Sequence, residues 1–437
     1  MRSYAALPAA NVSGSVLVPG DKSISHRSVM LGGICDGESR IEGFLPSEDC
    51  LASMRAMRAL GVEIVQSSPA SVLVKGVGLH GLRAANDSLD MGNAGTAMRL
   101  FTGLLAGQAF DSRLIGDASL SKRPMERVAK PLRQMGAIIE TSNGTPPVQI
   151  RRAGGLHGIE YAMPVASAQV KSALLLAGLY AHGPTTVIEP APSRDHSERM
   201  LTALGVRMRQ SNLRIRLEPP DRLQSCDMRV PGDFSSAAFF LIAGLIGGGT
   251  GGLLIHNVGL NPTRMGLLEI LRGMGAKIDA LDAREAGSEP VADLLVSRSE
   301  LKGINVPAAL VPLAIDEFPA LFIAAACASG ETLITGAEEL RLKESDRIAV
   351  MSEGLRALDV EHEAFPDGMR ILGRPAGAAF SGGVIDSHGD HRVAMSFAVA
   401  SLRAAGEIRI RDVANVATSF PGFADLANGA GLRLTES

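Results

Sequence analysis

Tryptophan is absent from this 437-residue chain, and three tyrosines and 13 phenylalanines bring the aromatic share to only 4%. Bases would find few faces to stack on, and 43 basic against 46 acidic residues leave a formal charge of −3. Nucleic acid is therefore not an expected partner. Cysteine is equally sparse: Cys35, Cys50, Cys226 and Cys327 are scattered, with no C-x-x-C spacing. That excludes a zinc ribbon or a disulfide frame and suits reduced thiols in a cytoplasmic protein. No apolar run approaches the ~20 residues of a membrane span. The first ten residues also lack a basic stretch followed by an apolar one, so neither a membrane partner nor secretion is expected. Apolar residues are nonetheless plentiful at 46%, which excludes disorder. At ~150 residues per domain the length suggests two or three domains. The 49 glycines point to many tight turns and close approaches between elements.

One short pattern recurs: a helical stretch, a Gly or equivalent pivot, then a β-prone run. The pivots are Gly61, Gly136, Gly205, Gly275, Asp359 and Gly431, spaced 69 to 84 residues apart. A residue just past a helix end suits the left-handed conformation, and the next few residues read as the start of a strand. Six near-regular copies indicate a six-unit α/β architecture. A second repeat splits the six into two threes. Val18-Pro19-Gly20-Asp21-Lys22-Ser23 returns 212 residues later as Val230-Pro231-Gly232-Asp233-Phe234-Ser235. The expected boundaries are residues 21–231 for a first lobe and 1–20 plus 232–437 for a second, with ligands in the cleft between them.

Polar chemistry is concentrated where helices are expected to begin. In Gly20-Asp21-Lys22-Ser23-Ile24-Ser25-His26-Arg27, Ser23 or Ser25 is the expected cap, and the flanking cations suit an anion at a helix N-terminus. Residues 92–99 expose backbone amides among small side chains. In residues 116–125, Pro124 suits a first helical turn, which would put Arg123 at the helix mouth. Ser167-Ala168-Gln169 open an apolar helix, where polar side chains either cap or face a ligand. Asp316 lies between apolar stretches, where a carboxylate must be paired or become a stronger base. If residues 339–347 are helical, Lys343 and Arg347 share one face with Glu344 beside them. His388 and His391 have no carboxylate or thiol set to complete a metal site, so no metal is expected. Lys22, Arg27, Arg123, Arg194, Lys343, Arg347 and Arg392 all fall in such helix-opening contexts. Gathered together, they would focus phosphate and carboxylate ligands. The residues alone thus point to small, multiply anionic substrates and leave the reaction unnamed.

The motifs GDKSISHR (20–27), GNAGTAMR (92–99), GDASLSKRPM (116–125), SAQVKSALLLAG (167–178), LRLKESDR (340–347) and GDHRVAM (389–395) stand in this order in the chain. Over essentially its full length the sequence resembles the 3-phosphoshikimate 1-carboxyvinyltransferase (EPSP synthase) family, in its class II branch. The resemblance implies an α/β protein of two similar domains, each of three βαββαβ units, in the enolpyruvyl transferase fold (an inside-out α/β barrel). It implies transfer of the enolpyruvyl group of phosphoenolpyruvate to the 5-hydroxyl of shikimate 3-phosphate, with no cofactor, in a monomer.

By the same resemblance, Lys22, Ser23, Arg27, Ser167, Ala168, Gln169, Arg194, Asp316 and Lys343 hold shikimate 3-phosphate, with Arg199 as a further candidate. Lys22, Gly95, Arg123, Gln169, Arg347 and Arg392 hold phosphoenolpyruvate, with Lys343 alongside them. Asp316 is the base at the 5-hydroxyl, Glu344 moves protons at the methylene carbon, and Lys22 shares in the catalysis. Asn93 and His391 belong to a second tier. The sequence departs from many relatives at Thr418, where they carry Lys before Phe-Pro, and at Glu339, where some carry Asn. Glyphosate competes with phosphoenolpyruvate in this family. Gly95, with no side chain to crowd the inhibitor, implies sensitivity, which Leu100 in place of a common Pro would weaken. A related transferase acting on a UDP-sugar would be expected to show a reactive Cys in a mobile loop, for example near Arg123. A non-catalytic anion sensor would keep the cations but have no need of Asp316 and Glu344.

Overall fold

Six residues directly past helix ends adopt positive φ: Gly61 (93°), Gly136 (98°), Gly205 (86°), Gly275 (91°), Asp359 (63°) and Gly431 (112°). They are the six pivots of the repeat. The computed structural model describes residues 2–9 and 11–437. Each pivot comes after one amphipathic helix: Glu48–Ala59, Glu126–Gln134, His196–Ala203, Gly266–Gly273, Arg347–Ala357 and Phe423–Gly429. The left-handed residue turns the chain back into a strand at a place where a β-carbon is costly, so five of the six are Gly.

A second set of six helices alternates with the first: Lys22–Gly33, Gly95–Ala106, Ala168–Gly178, Phe234–Gly247, Phe318–Ala326 and His391–Ala400. These are apolar nearly all round and buried over most of their length; in the last three every residue is buried. Such helices have no solvent face to keep polar, so polar residues collect at their N-termini. Close packing explains part of the glycine content. A β-carbon at Gly103 would lie 2.2 Å from the carbonyl oxygen of Ala173, so the helices Gly95–Ala106 and Ala168–Gly178 touch backbone to backbone.

The chain forms two compact units, Gly20–Val230 with Ala286–Ser288, and Met1–Pro19 with Pro231–Glu285 and Glu289–Ser437. Each has its own hydrophobic core. The first unit contains three four-stranded sheets of one topology, a parallel outer pair followed by two antiparallel pairings. The strand Met228–Arg229 closes the first of these sheets alongside Asp36–Glu42. In the second unit, Val12–Leu17 lies parallel to Gly248–Gly259, and Ser3–Leu7 sits between Ile408–Arg411 and Arg433–Glu436. Its three-stranded sheet gains the missing parallel neighbour through bridges from Lys302 to Ser329 and from Asn305 to Leu333. Among the described residues, no single helix is long and apolar enough to cross a membrane.

Three local expectations are corrected. Asp21, not Ser23 or Ser25, caps the first helix, accepting from the Ile24 amide; Ser25 Oγ instead accepts from the Leu45 amide at 3.0 Å. Pro124 precedes its helix, which starts at Glu126, and Arg123 ends the short 3-10 turn Leu120–Lys122. Lys343 and Arg347 do not share a helix: Lys343 is extended after the 3-10 turn Glu338–Leu342, and Asp346 caps a new helix that begins at Arg347. The carboxylate of Asp346 competes for the amides of a continuing helix and restarts it instead.

Candidate active site

The N-termini of the buried helices carry Lys22, Ser23, Gly95, Ser167, Ala168, Gln169 and Arg392, whereas Arg123, Arg194, Lys343, Glu344 and Arg347 stand before or at the start of amphipathic helices. In the first unit, Lys22 and Ser23 open the helix Lys22–Gly33, and the Lys22 amine lies 3.1 Å from Asp49. Arg27, just over a turn further on, is buried. Its guanidinium donates to Ser197 Oγ (2.8 Å), the Ser23 carbonyl (2.8 Å) and Ser172 Oγ (2.7 Å). Hydroxyls on two other helices thus aim it. His26 in the same motif is fully buried and bonded to Ser53 at 2.7 Å. Burial and the Lys22 and Arg27 charges push its pKa down to about 3, so it stays neutral.

Gly95 opens the second buried helix with no side-chain cap, and its own amide donates to the Asn93 carbonyl at 2.8 Å. Arg123 reaches this end, donating from Nη2 to Asn93 Oδ1 at 2.8 Å, while Asn93 donates to Asp117 at 2.8 Å. A β-carbon on Gly95 would sit 3.0 Å from Arg123 Nη1. At the third helix, Ser167 is the cap and accepts from the Val170 amide at 3.4 Å. Gln169 accepts from Arg99 at 2.6 Å and donates to Thr96 at 2.9 Å, which fixes its amide. Arg194 lies half-buried in the loop before His196–Ala203.

The second unit handles charge differently. Arg347, one per cent exposed, donates to Asp390 from Nε (2.8 Å), to Glu344 (2.6 Å) and to Asp316 (3.5 Å). Burial works against its charge, but Asp390, Glu344 and Asp316 outweigh it and hold the guanidinium above its usual range. Burial alone would raise the Asp390 carboxyl, but Arg347 overrides it and holds it below the usual range. Lys343 meets the same Asp316 oxygen at 3.1 Å. Arg392 donates to the Asp316 carbonyl at 2.8 Å and lies 3.7 Å from Glu317. Asp390 caps the helix His391–Ala400 through the Arg392 amide at 2.9 Å. Asp316, Lys343, Glu344, Arg347 and Arg392 therefore form one interlocked cluster. The Asp316 carboxylate thus lies between two cations, Lys343 and Arg347. Thr418 is buried and donates to the Asn415 carbonyl at 2.7 Å.

Sequence reasoning misses the groups that hold these side chains: Asp49, Ser172, Ser197, Arg99, Glu317 and Asp390. Arg99 and Asp390 lie inside the GNAGTAMR and GDHRVAM motifs. Ser172 lies inside SAQVKSALLLAG and Glu317 is next to Asp316, while Asp49 and Ser197 are partners from segments outside the six motifs.

The profile of the EPSP synthase (3-phosphoshikimate 1-carboxyvinyltransferase) family matches residues 7–426. The chain belongs to the EPSP synthase family. It is 59% identical over 429 residues to the 3-phosphoshikimate 1-carboxyvinyltransferase of Alkalilimnicola ehrlichii, covering 98% of this chain and 95% of that one. It is 56% identical to that of Methylococcus capsulatus, covering 99% and 98%. The structure of an EPSP synthase from Acinetobacter baumannii is similar over both whole chains, with a TM-score of 0.90 and 51% identity. The enolpyruvyl transferase NikO from Streptomyces tendae, at 18% identity and a TM-score of 0.80 over 100% and 99% of the two chains, shares the fold. The EPSP synthase motifs of the sequence are thus the helix openings described here. The four cysteines stand outside the Arg123 loop of this EPSP synthase scaffold, and Cys35, Cys50 and Cys327 are buried.

Proposed function

We propose that the protein transfers the enolpyruvyl group of phosphoenolpyruvate to the 5-hydroxyl of shikimate 3-phosphate and releases phosphate, with its own side chains supplying all binding and proton transfer. Family membership carries the reaction, and the Asp316–Lys343–Glu344–Arg347 cluster supports the division of labour. Addition forms a bond between the 5-oxygen and C2 of phosphoenolpyruvate, while C3 gains a proton. Elimination then breaks the C2–O bond to phosphate and returns a proton from C3. Asp316 takes the 5-hydroxyl proton. Lys343 and Arg347 hold the Asp316 carboxylate in place, and Glu344 exchanges the proton at C3. Lys22 assists by offsetting charge that develops on phosphoenolpyruvate.

Lys22, Ser23, Arg27, Ser167, Ala168, Gln169, Arg194, Asp316 and Lys343 bind shikimate 3-phosphate. Lys22, Gly95, Arg123, Gln169, Arg347 and Arg392 bind phosphoenolpyruvate. The planar forks of the arginines suit phosphate and carboxylate oxygens. The protein acts as a cytoplasmic monomer on these small anions. Gly95 leaves room for glyphosate beside Arg123, so glyphosate competes with phosphoenolpyruvate, and no inhibition at millimolar concentration would contradict this. The deciding assay supplies both substrates and measures phosphate release. The wild-type chain should turn over and Asp316→Asn should not. Release from phosphoenolpyruvate without the second substrate would point to another reaction.

A further inference from the structure

Lys171 is a buried charge that the reaction does not use. It lies two residues after Gln169 in the helix Ala168–Gly178, and its side chain is one per cent exposed. Its ammonium lies 2.9 Å from Glu189 and 2.7 Å from Glu198, and it donates to the Ser193 carbonyl at 3.2 Å. Both carboxylates are buried as well. One ammonium thus faces two acids in an apolar surrounding, an arrangement rarely kept for stability alone. Burial raises the Glu198 carboxyl, and Lys171 opposes that rise.

The partners of Lys171 all lead to groups that hold one substrate. Ser193 is tied twice, through its carbonyl to Lys171 and through its hydroxyl, which donates to Glu189, and the next residue is Arg194. Glu198 is next to Ser197, which receives Arg27 Nε and donates to Ser172 Oγ at 2.8 Å. Consecutive residues Lys171 and Ser172 therefore grip consecutive residues Glu198 and Ser197, and the Arg27 guanidinium bonds to both serines. An ion pair and hydroxyl bonds fix the helix His196–Ala203 and the loop before it against the helix whose first turn holds Ser167, Ala168 and Gln169.

We propose that Lys171 is a positioning residue for shikimate 3-phosphate, setting Arg194 and Arg27 in register with Ser167–Gln169. This rests on the substrate assignment made above. Groups that bind a phosphate in concert lose affinity steeply when one shifts by an ångström. Of the phosphoenolpyruvate residues, Arg123, Arg347 and Arg392 are held by other groups, among them Asn93, Asp390 and the Asp316 carbonyl, and the shared Gln169 is held by Arg99 and Thr96, so these should be unaffected by the loss of this lysine.

The test compares the full-length wild type with Lys171→Met and with Lys171→Met/Glu198→Gln, which removes the lysine together with one carboxylate. Thermal melting is measured along with kcat and both KM values. Lys171→Met should melt lower and raise KM for shikimate 3-phosphate about tenfold or more, with KM for phosphoenolpyruvate and kcat within about threefold. The double variant should regain melting temperature yet keep the raised KM, because the charge imbalance is relieved but the tether is still missing. It decides the matter if the single variant does not fold. A wild-type KM for shikimate 3-phosphate in the folded double variant, or equal rises in both KM values, would overturn the proposal. Absence of turnover in the wild type would instead overturn the substrate assignment.

Discussion

Lys171 in the first unit and Arg347 in the second are equally buried, each one per cent exposed and each held by acids. Their partners differ. The two carboxylates on Lys171 are four and six per cent exposed, so the cluster is sealed. Of the three on Arg347, Asp390 is wholly buried, but Asp316 and Glu344 are 14% and 24% exposed. One network is a framework, and the other anchors a cation from inside while presenting its acids outward. The two clusters differ in the accessibility of the partners, not in burial of the central charge. The two units show the same contrast more widely. The first holds Arg27 and Arg123 with hydroxyl, carbonyl and amide oxygens among their partners. The second holds Lys343 and Arg347 with carboxylates.

The sharpest way to break this comparison is Arg347→Met. It strands Asp390 in the core, so stability should fall by about 3–5 kcal/mol in a denaturant titration. Turnover should be lost entirely in the phosphate-release assay, whereas Lys171→Met keeps kcat. Retained turnover in Arg347→Met would erase the distinction between the two buried cations. Next in size is Glu344→Ala, which removes an outward-facing acid. We expect kcat to drop about 10²–10⁴-fold with both KM values little changed. Equal losses in kcat and binding would make Glu344 a binding or structural group.

Gly95→Ala probes the first unit, where a new β-carbon presses on Arg123. The guanidinium is the far end of a flexible chain and gives way, so KM for phosphoenolpyruvate should rise roughly tenfold, with stability unchanged. An unchanged KM would show that Arg123 does not have to stay in place. The smallest effect is on pH dependence. His26 is held near a pKa of about 3 in the folded protein but titrates near 6.5 when unfolded. The unfolded chain therefore binds the extra proton first. Stability should fall as pH drops below 6.5, by up to about 1.4 kcal/mol per pH unit from this group, and stop falling near 3. His26→Gln should flatten that slope; an unchanged slope would place the acid sensitivity elsewhere.

Much of the architecture was legible because it rests on local chemistry. A left-handed residue after a helix favours Gly, so the six pivots could be counted from sequence, Asp359 included. The polar motifs stood out because apolar helices leave polar residues nowhere else to go. What could not be read was remote or competitive. Arg27 finds Ser197 170 residues away, and Arg347 finds Asp390 43 residues away. Asp390 lies in the GDHRVAM motif, but nothing local pairs either partner with its arginine. Asp21 won the cap over two serines, and Asp346 broke what looked like one continuous helix, because several side chains competed for the same few amides. The Thr418 hydroxyl is used within its own turn, on the Asn415 carbonyl.

The strand Ser3–Leu7 is hydrogen-bonded to Ile408–Arg411 on one side and Arg433–Glu436 on the other. A ribosome releases these residues some four hundred positions before it makes their neighbours. Segment 20–230 contains all the strands of its own sheets and can assemble while translation continues. The earlier strand must stay soluble and unpaired throughout, and its docking can close the last sheet only once residues 433–436 exist.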